Sequence, residues 1–155
     1  MLFSYDHNQS LGYLTGMASR LLSNLLAMRF QHADIDLTAE QWGALIVLLN
    51  NGEMTQGQLG ERLCLEKSSV SRLTDGLQRR GWIVRTRDPN DSRQKLVAPT
   101  PKVLDTAERC AAIARAILEE AQRGMTADEM AVCRSLLSRV ITNLRKLTRQ
   151  RQTDK

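Results

Sequence analysis

Between Leu11 and Phe30 apolar residues return every three or four positions: Leu11, Leu14, Ala18, Leu21, Leu22, Leu25 and Met28. That is the period of a helix with one buried face. Met17, Leu26 and Ala27 broaden the stripe, so this helix should pack on two sides, once against its own domain and once against something else. A second helix is predicted from Thr38, because Thr38-Ala-Glu-Gln41 has the spacing of a capping box. Trp42, Leu45, Ile46 and Leu49 would face inward before Asn50-Asn51-Gly52 stops it. Thr55-Gln-Gly-Gln58 repeats the box and opens a third helix with Leu59 and Leu63 inside. The next helix places Val70, Leu73 and Leu77 inward and ends before Gly81.

After Gly81 the pattern changes. Trp82-Ile-Val-Arg85 is β-branched and aromatic enough for a strand, Asp88-Pro89-Asn90-Asp91 has turn chemistry, and Gln94 to Ala98 returns as a second strand. Thr100-Pro101 then reads as an N-cap with Pro at the first helical position. The helix it opens carries Leu104, Ala107, Ala111, Ala114 and Leu118 at helical spacing and is closed by Gly124. Thr126-Ala-Asp-Glu129 caps a last helix with Met130, Cys133, Leu137, Val140, Leu144 and Leu147, after which the polar remainder reads as a frayed end.

Two short helices followed by a charged two-stranded ribbon make a winged helix-turn-helix. The expected fold is therefore mainly α with a small β-wing: residues 35–100 form the winged unit, flanked by an N-terminal helix (1–34) and C-terminal helices (101–155) that serve dimerisation. Broad apolar faces at both ends are most simply explained by a homodimer that sets two readers side by side, matched to palindromic half-sites.

Charge sharpens the picture. The 155 residues carry a net charge of +5. Residues 62–95 hold nine basic and four acidic side chains, whereas residues 1–61 hold two and six. The last eleven residues hold five basic and one acidic. Positive charge thus gathers in the reader and the tail, where phosphate would meet it. Aromatics make up only 4%, so the core must be aliphatic. Three cysteines, Cys64, Cys110 and Cys133, have no metal-ligand or C-x-x-C spacing and fit a reducing compartment. No apolar run approaches the roughly 18 residues of a membrane span, and MLFSYDHNQS lacks a signal core, so no membrane partner is expected and the cytoplasm is the expected location.

Double-stranded DNA is the expected partner. Ser68, Ser69 and Ser71 are short enough to let a helix backbone approach base edges, Arg72 forks onto guanine or phosphate, and Lys67 meets phosphate. The bland alternative, a solvated helix face, weakens once a basic hairpin follows. In that hairpin Asp91 lies two residues before Arg93, where a salt bridge would stiffen the guanidinium for a narrow minor groove, flanked by Arg87 and Lys95. An Asp–Arg pair that only pins the turn is compatible with this. Thr55 and Gln56 begin the third helix, where backbone N–H groups and a hydroxyl suit one phosphate, or Thr55 is simply a cap. Arg79 and Arg80 read as surface cations, His7 and His32 as surface histidines, and Trp42 as core.

These residues resemble the multiple-antibiotic-resistance regulator (MarR) family over Met54 to Val97: the Leu59…Leu63 helix, Ser68-Ser-Val-Ser-Arg72-Leu, Leu77, Gly81, and Asp88-Pro-Asn-Asp91-Ser-Arg93. The helix pattern on both sides extends the resemblance to most of the chain. It implies a dimeric winged-helix transcription regulator, usually a repressor, released from DNA by a small molecule or oxidation. By position, Ser68, Ser69, Ser71 and Arg72 would sit in the major groove and Arg93, supported by Asp91, in the minor groove. Two departures stand out. Pro99-Thr100-Pro-Lys-Val103 replaces the family's Leu-Thr and following Gly, and Glu66 stands where Ser or Asp commonly caps the reading helix.

The resemblance also implies a phenolic or other small aromatic effector, lodged between the reader and the dimer region. Cys64, between Arg62 and Lys67 in the turn before the reading helix, is a candidate redox switch or a small side chain filling a tight turn. The family's peroxide sensors place their cysteine near the first helix, where this chain has none. A protein-interaction adaptor, whose basic face binds an acidic partner, is the competing class. An enzyme is not expected, since no Ser/His/Asp set, metal cluster or glycine-rich phosphate loop is present, and no cofactor is implied.

Overall fold

The computed structural model describes residues 6–153, with side chains through Arg149; the first half of the N-terminal segment and the last tail positions lie outside the described residues. The chain divides into two compact units, one reaching Ile117 and one from Leu118 onward. The first begins with a single 3-10 turn, His7–Gln9, and continues through α1 (Leu11–His32), α2 (Ala39–Asn51), β1 (Met54–Thr55), α3 (Gln56–Leu63), α4 (Lys67–Arg79), β2 (Ile83–Arg87), β3 (Lys95–Pro99) and most of α5 (Pro101–Ala121). The second holds the end of α5 and α6 (Ala127–Thr153). The helix of α6 continues past Leu147 to Thr153. Among the described residues no helix is long and apolar enough to cross a membrane.

The three capping boxes form as their spacing requires. Thr38 Oγ1 accepts from the Gln41 N–H and Gln41 Oε1 from the Thr38 N–H, both at 3.1 Å. Thr55 and Gln58 repeat the exchange at 3.1 and 2.9 Å, and Thr126 and Glu129 at 3.2 and 2.7 Å. Each side-chain bond satisfies a donor that the first turn leaves orphaned, worth about 1 kcal/mol per cap. Thr100 behaves differently. Its hydroxyl donates back to the carbonyls of Gly81 (2.6 Å) and Trp82 (3.2 Å), so it ties the start of α5 to the end of α4 and does not cap its own helix.

Two chain reversals fix the reader. At the end of α4 the Trp82 N–H reaches Leu77 O and the Gly81 N–H reaches Gln78 O, both at 3.0 Å, with Gly81 at φ 74°. This is a Schellman closure, which requires a left-handed residue where glycine sits. The turn between α3 and α4 uses the same pattern, Leu65 N–H to Gly60 O at 2.9 Å, but its left-handed residue is Cys64 at φ 56°. Gly60 lets the two helices approach: a Cβ there would lie 3.2 Å from Val70 Cγ1.

The sheet has three antiparallel strands in the order β1-β3-β2. The hairpin runs from Ile83 opposite Pro99 to Arg87 opposite Lys95, and β1 adds Met54 opposite Val97 and Thr55 opposite Leu96. The sequence pattern gives the hairpin only; β1 is the addition. The core of this unit joins Phe30, Leu45, Leu48, Leu59, Leu77, Ile83, Val97, Val103 and Cys110, each at most 1% exposed. Each large side chain buried here contributes about 1.5–3 kcal/mol. Trp42 belongs to this core, edge-on to Phe30 with ring centres 6.2 Å apart. Ile46 does not, contrary to its expected inward position: Ala44, Leu45 and Leu48 fill the inner face of α2 while Ile46 stays exposed.

Candidate nucleic-acid interface

α4 begins at Lys67 with Glu66 as N-cap, and the Glu66 side chain makes no capping hydrogen bond. The Ser69 and Val70 N–H groups close onto the Glu66 carbonyl at 2.9 and 3.0 Å, and among the described residues the Lys67 and Ser68 N–H groups remain open to an external acceptor at the positive end of the helix dipole. Lys67, Ser68 and Arg72 are exposed and Ser69 and Ser71 half-buried, while Val70, Leu73, Thr74 and Leu77 anchor the opposite face. The result is a helix whose apolar side is fixed in the core and whose N-terminal polar side faces outward.

Two hollows flank this helix. On one side a cleft of 580 Å³ brings Lys67 and Ser71 of α4 together with Thr55 and Gln56 at the start of α3 and with Arg93 and Lys95 of the wing. On the other side an open depression of 810 Å³ is lined by Arg72, Asp75, Gln78, Arg79 and Arg85. The sequence candidates therefore divide: Lys67, Ser71, Thr55, Gln56, Arg93 and Lys95 share one cleft, Arg72 lies in the other, and Ser68, Ser69, Arg87 and Asp91 line neither.

The wing tip is held by carboxylates on backbone. Asp88 Oδ1 accepts from the Asn90 N–H at 2.8 Å, and Asp91 Oδ1 accepts from the Arg93 N–H at 3.1 Å. Asp91 Oδ2 takes a third bond from Gln94 Nε2 at 3.1 Å. The Gln94 side-chain bond, then the Arg93 N–H, hold the Asp91 carboxyl below its ordinary value. The expected Asp91–Arg93 salt bridge is absent among the described residues. A side chain two residues before its partner closes an Asx turn onto the backbone more readily than it reaches the next guanidinium. Asp91 thus shapes the chain that carries Arg93 and leaves its guanidinium exposed.

Among the described residues Lys67, Arg72, Arg87, Arg93 and Lys95 form no ion pair, whereas Arg80, Arg85 and Arg115 pair with Asp36, Asp75 and Glu108. Arg87 and Lys95 also sit directly opposite each other in the hairpin. Like charges in that position destabilise a strand pair by a few tenths of a kcal/mol. Unneutralised cations on a helix N-terminus and the adjoining wing are suited to a polyanion. Arg80, read as a surface cation, is a paired one: its guanidinium holds the Asp36 carboxylate at 3.0 Å and the Gln41 side-chain oxygen at 3.3 Å.

Sequence reasoning missed Arg85. From β2 it reaches Asp75 Oδ1 (2.6 Å) and Gln78 Oε1 (2.5 Å) on α4, and Thr74 Oγ1 (3.3 Å) and Gln56 Oε1 (3.4 Å) on α4 and α3. The Gln56 side-chain oxygen is therefore turned inward, and any phosphate contact at the start of α3 falls to its backbone N–H groups. Strand alternation alone carried no signal for this, since the partners come from two other elements. Cys64 is exposed, not a buried filler, at the left-handed turn just before α4. Cys110 is buried, and that burial pushes its thiol pKa up, which leaves it inert. His7 and His32 are exposed.

The model described as the MarR family matches residues 35–94. The multiple antibiotic resistance protein MarR of Salmonella typhimurium is 32% identical over 123 residues, which is 79% of this chain and 81% of that protein. A crystal structure of a mutant MarR from Escherichia coli complexed with operator DNA superposes with a TM-score of 0.78 at 27% identity, covering 90% of this chain and 99% of that one. The PcaV transcriptional regulator of Streptomyces coelicolor, in complex with its natural ligand, gives 0.77 at 25% identity over 91% and 98%.

Proposed function

The chain belongs to the MarR family of transcription regulators, and from that premise we propose that it is a homodimeric repressor that binds a palindromic operator and is released by a small aromatic or phenolic effector. The observation that carries the DNA reading is the set of five cations, Lys67, Arg72, Arg87, Arg93 and Lys95, that form no ion pair among the described residues and lie on one helix and its wing. Ser68, Ser69, Ser71 and Arg72 read base edges in the major groove, with Lys67 on phosphate. Arg93 enters the adjacent minor groove from a turn shaped by Asp91, and Arg87 and Lys95 meet the backbone beside it. The start of α3, at Thr55 and Gln56, receives one phosphate on its N–H groups.

Dimerisation falls to residues 1–34 and 101–155. In support, Leu14, Leu21 and Met28 on α1 are 47, 63 and 47% exposed, and Leu136, Ile141, Leu144 and Leu147 on α6 are 50–60% exposed. Such stripes are seldom left to water. A complex of the related PcaV with its natural ligand supports the effector.

The test is fluorescence anisotropy on a duplex selected from a random pool, across a salt series. The three cations placed on phosphate, Lys67, Arg87 and Lys95, predict a slope of log affinity against log salt of about −2.7 per protomer, roughly double for the dimer. No selected sequence, together with capture of the basic face by an acidic protein, would replace this reading with the adaptor.

A further inference from the structure

We propose that Arg85 is a positioning residue that sets the angle between the reading helix and the wing, and with it the capacity to discriminate one DNA sequence from another. The inference rests on the DNA-binding reading and deepens it.

Arg85 itself is withdrawn from solvent, its side chain 15% exposed, so it is poorly placed for DNA contact. Its guanidinium instead uses every face. Nη2 meets Asp75, Nε meets Gln78, and Nη1 is shared between Gln56 and Thr74. Thr74 is fully buried; its hydroxyl has the Val70 carbonyl (2.9 Å), the Ser71 carbonyl (3.0 Å) and Gln56 Oε1 (3.1 Å) as acceptors, and its oxygen accepts from Arg85. One planar fork thereby binds three elements. β2 leads within two residues to Arg87 and the wing tip, α4 carries the base-reading serines, and α3 carries the phosphate-facing N-terminus. A lysine keeps the charge but presents a point donor that holds one or two of these partners, not all four. Loosening this joint leaves every exposed cation in place. Contacts to phosphate, which tolerate misalignment, survive, and contacts to base edges, which do not, are lost.

Arg85→Lys and Asp75→Asn are each compared with wild type on the selected operator and on a scrambled duplex, with circular dichroism and thermal unfolding alongside. Arg85→Lys is expected to lose tenfold or more in operator affinity while scrambled-duplex affinity and its salt slope stay within twofold. Asp75→Asn removes a negative charge, so bare electrostatics predicts tighter binding to both duplexes; the positioning role predicts a lower operator-to-scrambled ratio. That second variant decides the matter if Arg85→Lys does not fold, because Asp75 is half exposed. Unchanged ratios in the folded variants overturn the inference alone. A wild type without sequence preference overturns the DNA reading and this inference with it.

Discussion

Arg87→Thr should make the fold more stable and DNA binding weaker. Arg87 and Lys95 face each other across the end of the β2–β3 ladder, both exposed, with no carboxylate paired to either among the described residues. Two unit charges about 7 Å apart in water repel by roughly 0.6 kcal/mol, and a Debye length of about 8 Å at physiological salt reduces that to roughly 0.2–0.3 kcal/mol. Threonine also suits an exposed strand position, adding a few tenths of a kcal/mol. The midpoint of thermal unfolding should therefore rise by about 1–2 °C, more at 20 mM salt than at 500 mM. Operator binding should lose one phosphate contact per protomer, flattening the salt slope by about 0.9 for each. Differential scanning fluorimetry at the two salt concentrations and an anisotropy salt series measure both halves. A variant that melts lower at low salt, or that keeps the wild-type slope, refutes the idea that this pair is kept for a polyanion at the expense of the hairpin.

Asp91→Ala removes a negative charge beside the proposed DNA, yet affinity should fall several-fold, because Arg93 loses the turn that aims it; a rise in affinity in anisotropy contradicts this. The Asp91 carboxyl is held below its ordinary value by Gln94 and the Arg93 N–H, so its contribution to the wing is complete above the ordinary carboxylate range. It is lost as pH falls through the lowered value, and the protection of the Arg93 amide, its exchange rate referred to the intrinsic rate at each pH, should fall there in wild type but show no such acid step in Asp91→Ala. Gly60→Ala should destabilise by about 1–3 kcal/mol in urea, since Val70 must retreat from the new methyl. Cys64→Gly should gain roughly 0.5 kcal/mol, the relief of a left-handed side chain less the added freedom of the unfolded chain; a loss of stability would contradict the strain.

What was legible in the sequence was what is decided within four residues. Thr38 with Gln41, Thr55 with Gln58 and Thr126 with Glu129 announce their helices because both halves of each cap lie on one turn. Asp88 and Asp91 announce the wing tip for the same reason, although the direction of the Asp91 bond, to backbone and not to the Arg93 guanidinium, depends on the turn's geometry. Strand β1 escaped because two residues carry no period, and Met54 is paired only by Val97, far along the chain. Arg85 escaped because its partners come from two other stretches of sequence, Asp75 and Gln78 from α4 and Gln56 from α3. Thr100 misled because Ser or Thr before Pro is a cap by local rule, whereas the carbonyls of Gly81 and Trp82 lie within reach only after α4 has closed.

The two tryptophans give the protein a built-in optical label. Both indoles are buried, Trp42 at 4% and Trp82 at 3% exposure, and both lie in the unit that ends at Ile117. The Lys102 ammonium stands 4.0 Å from the Trp82 ring centre while also donating to the Arg80 carbonyl, at the joint between α4 and α5. Intrinsic emission therefore follows the reader alone, and α6, which has no indole, is silent in that channel though it dominates the helical ellipticity of its own unit. Recording both signals in one denaturation separates melting of the reader from melting of the terminal helix, without attaching any dye.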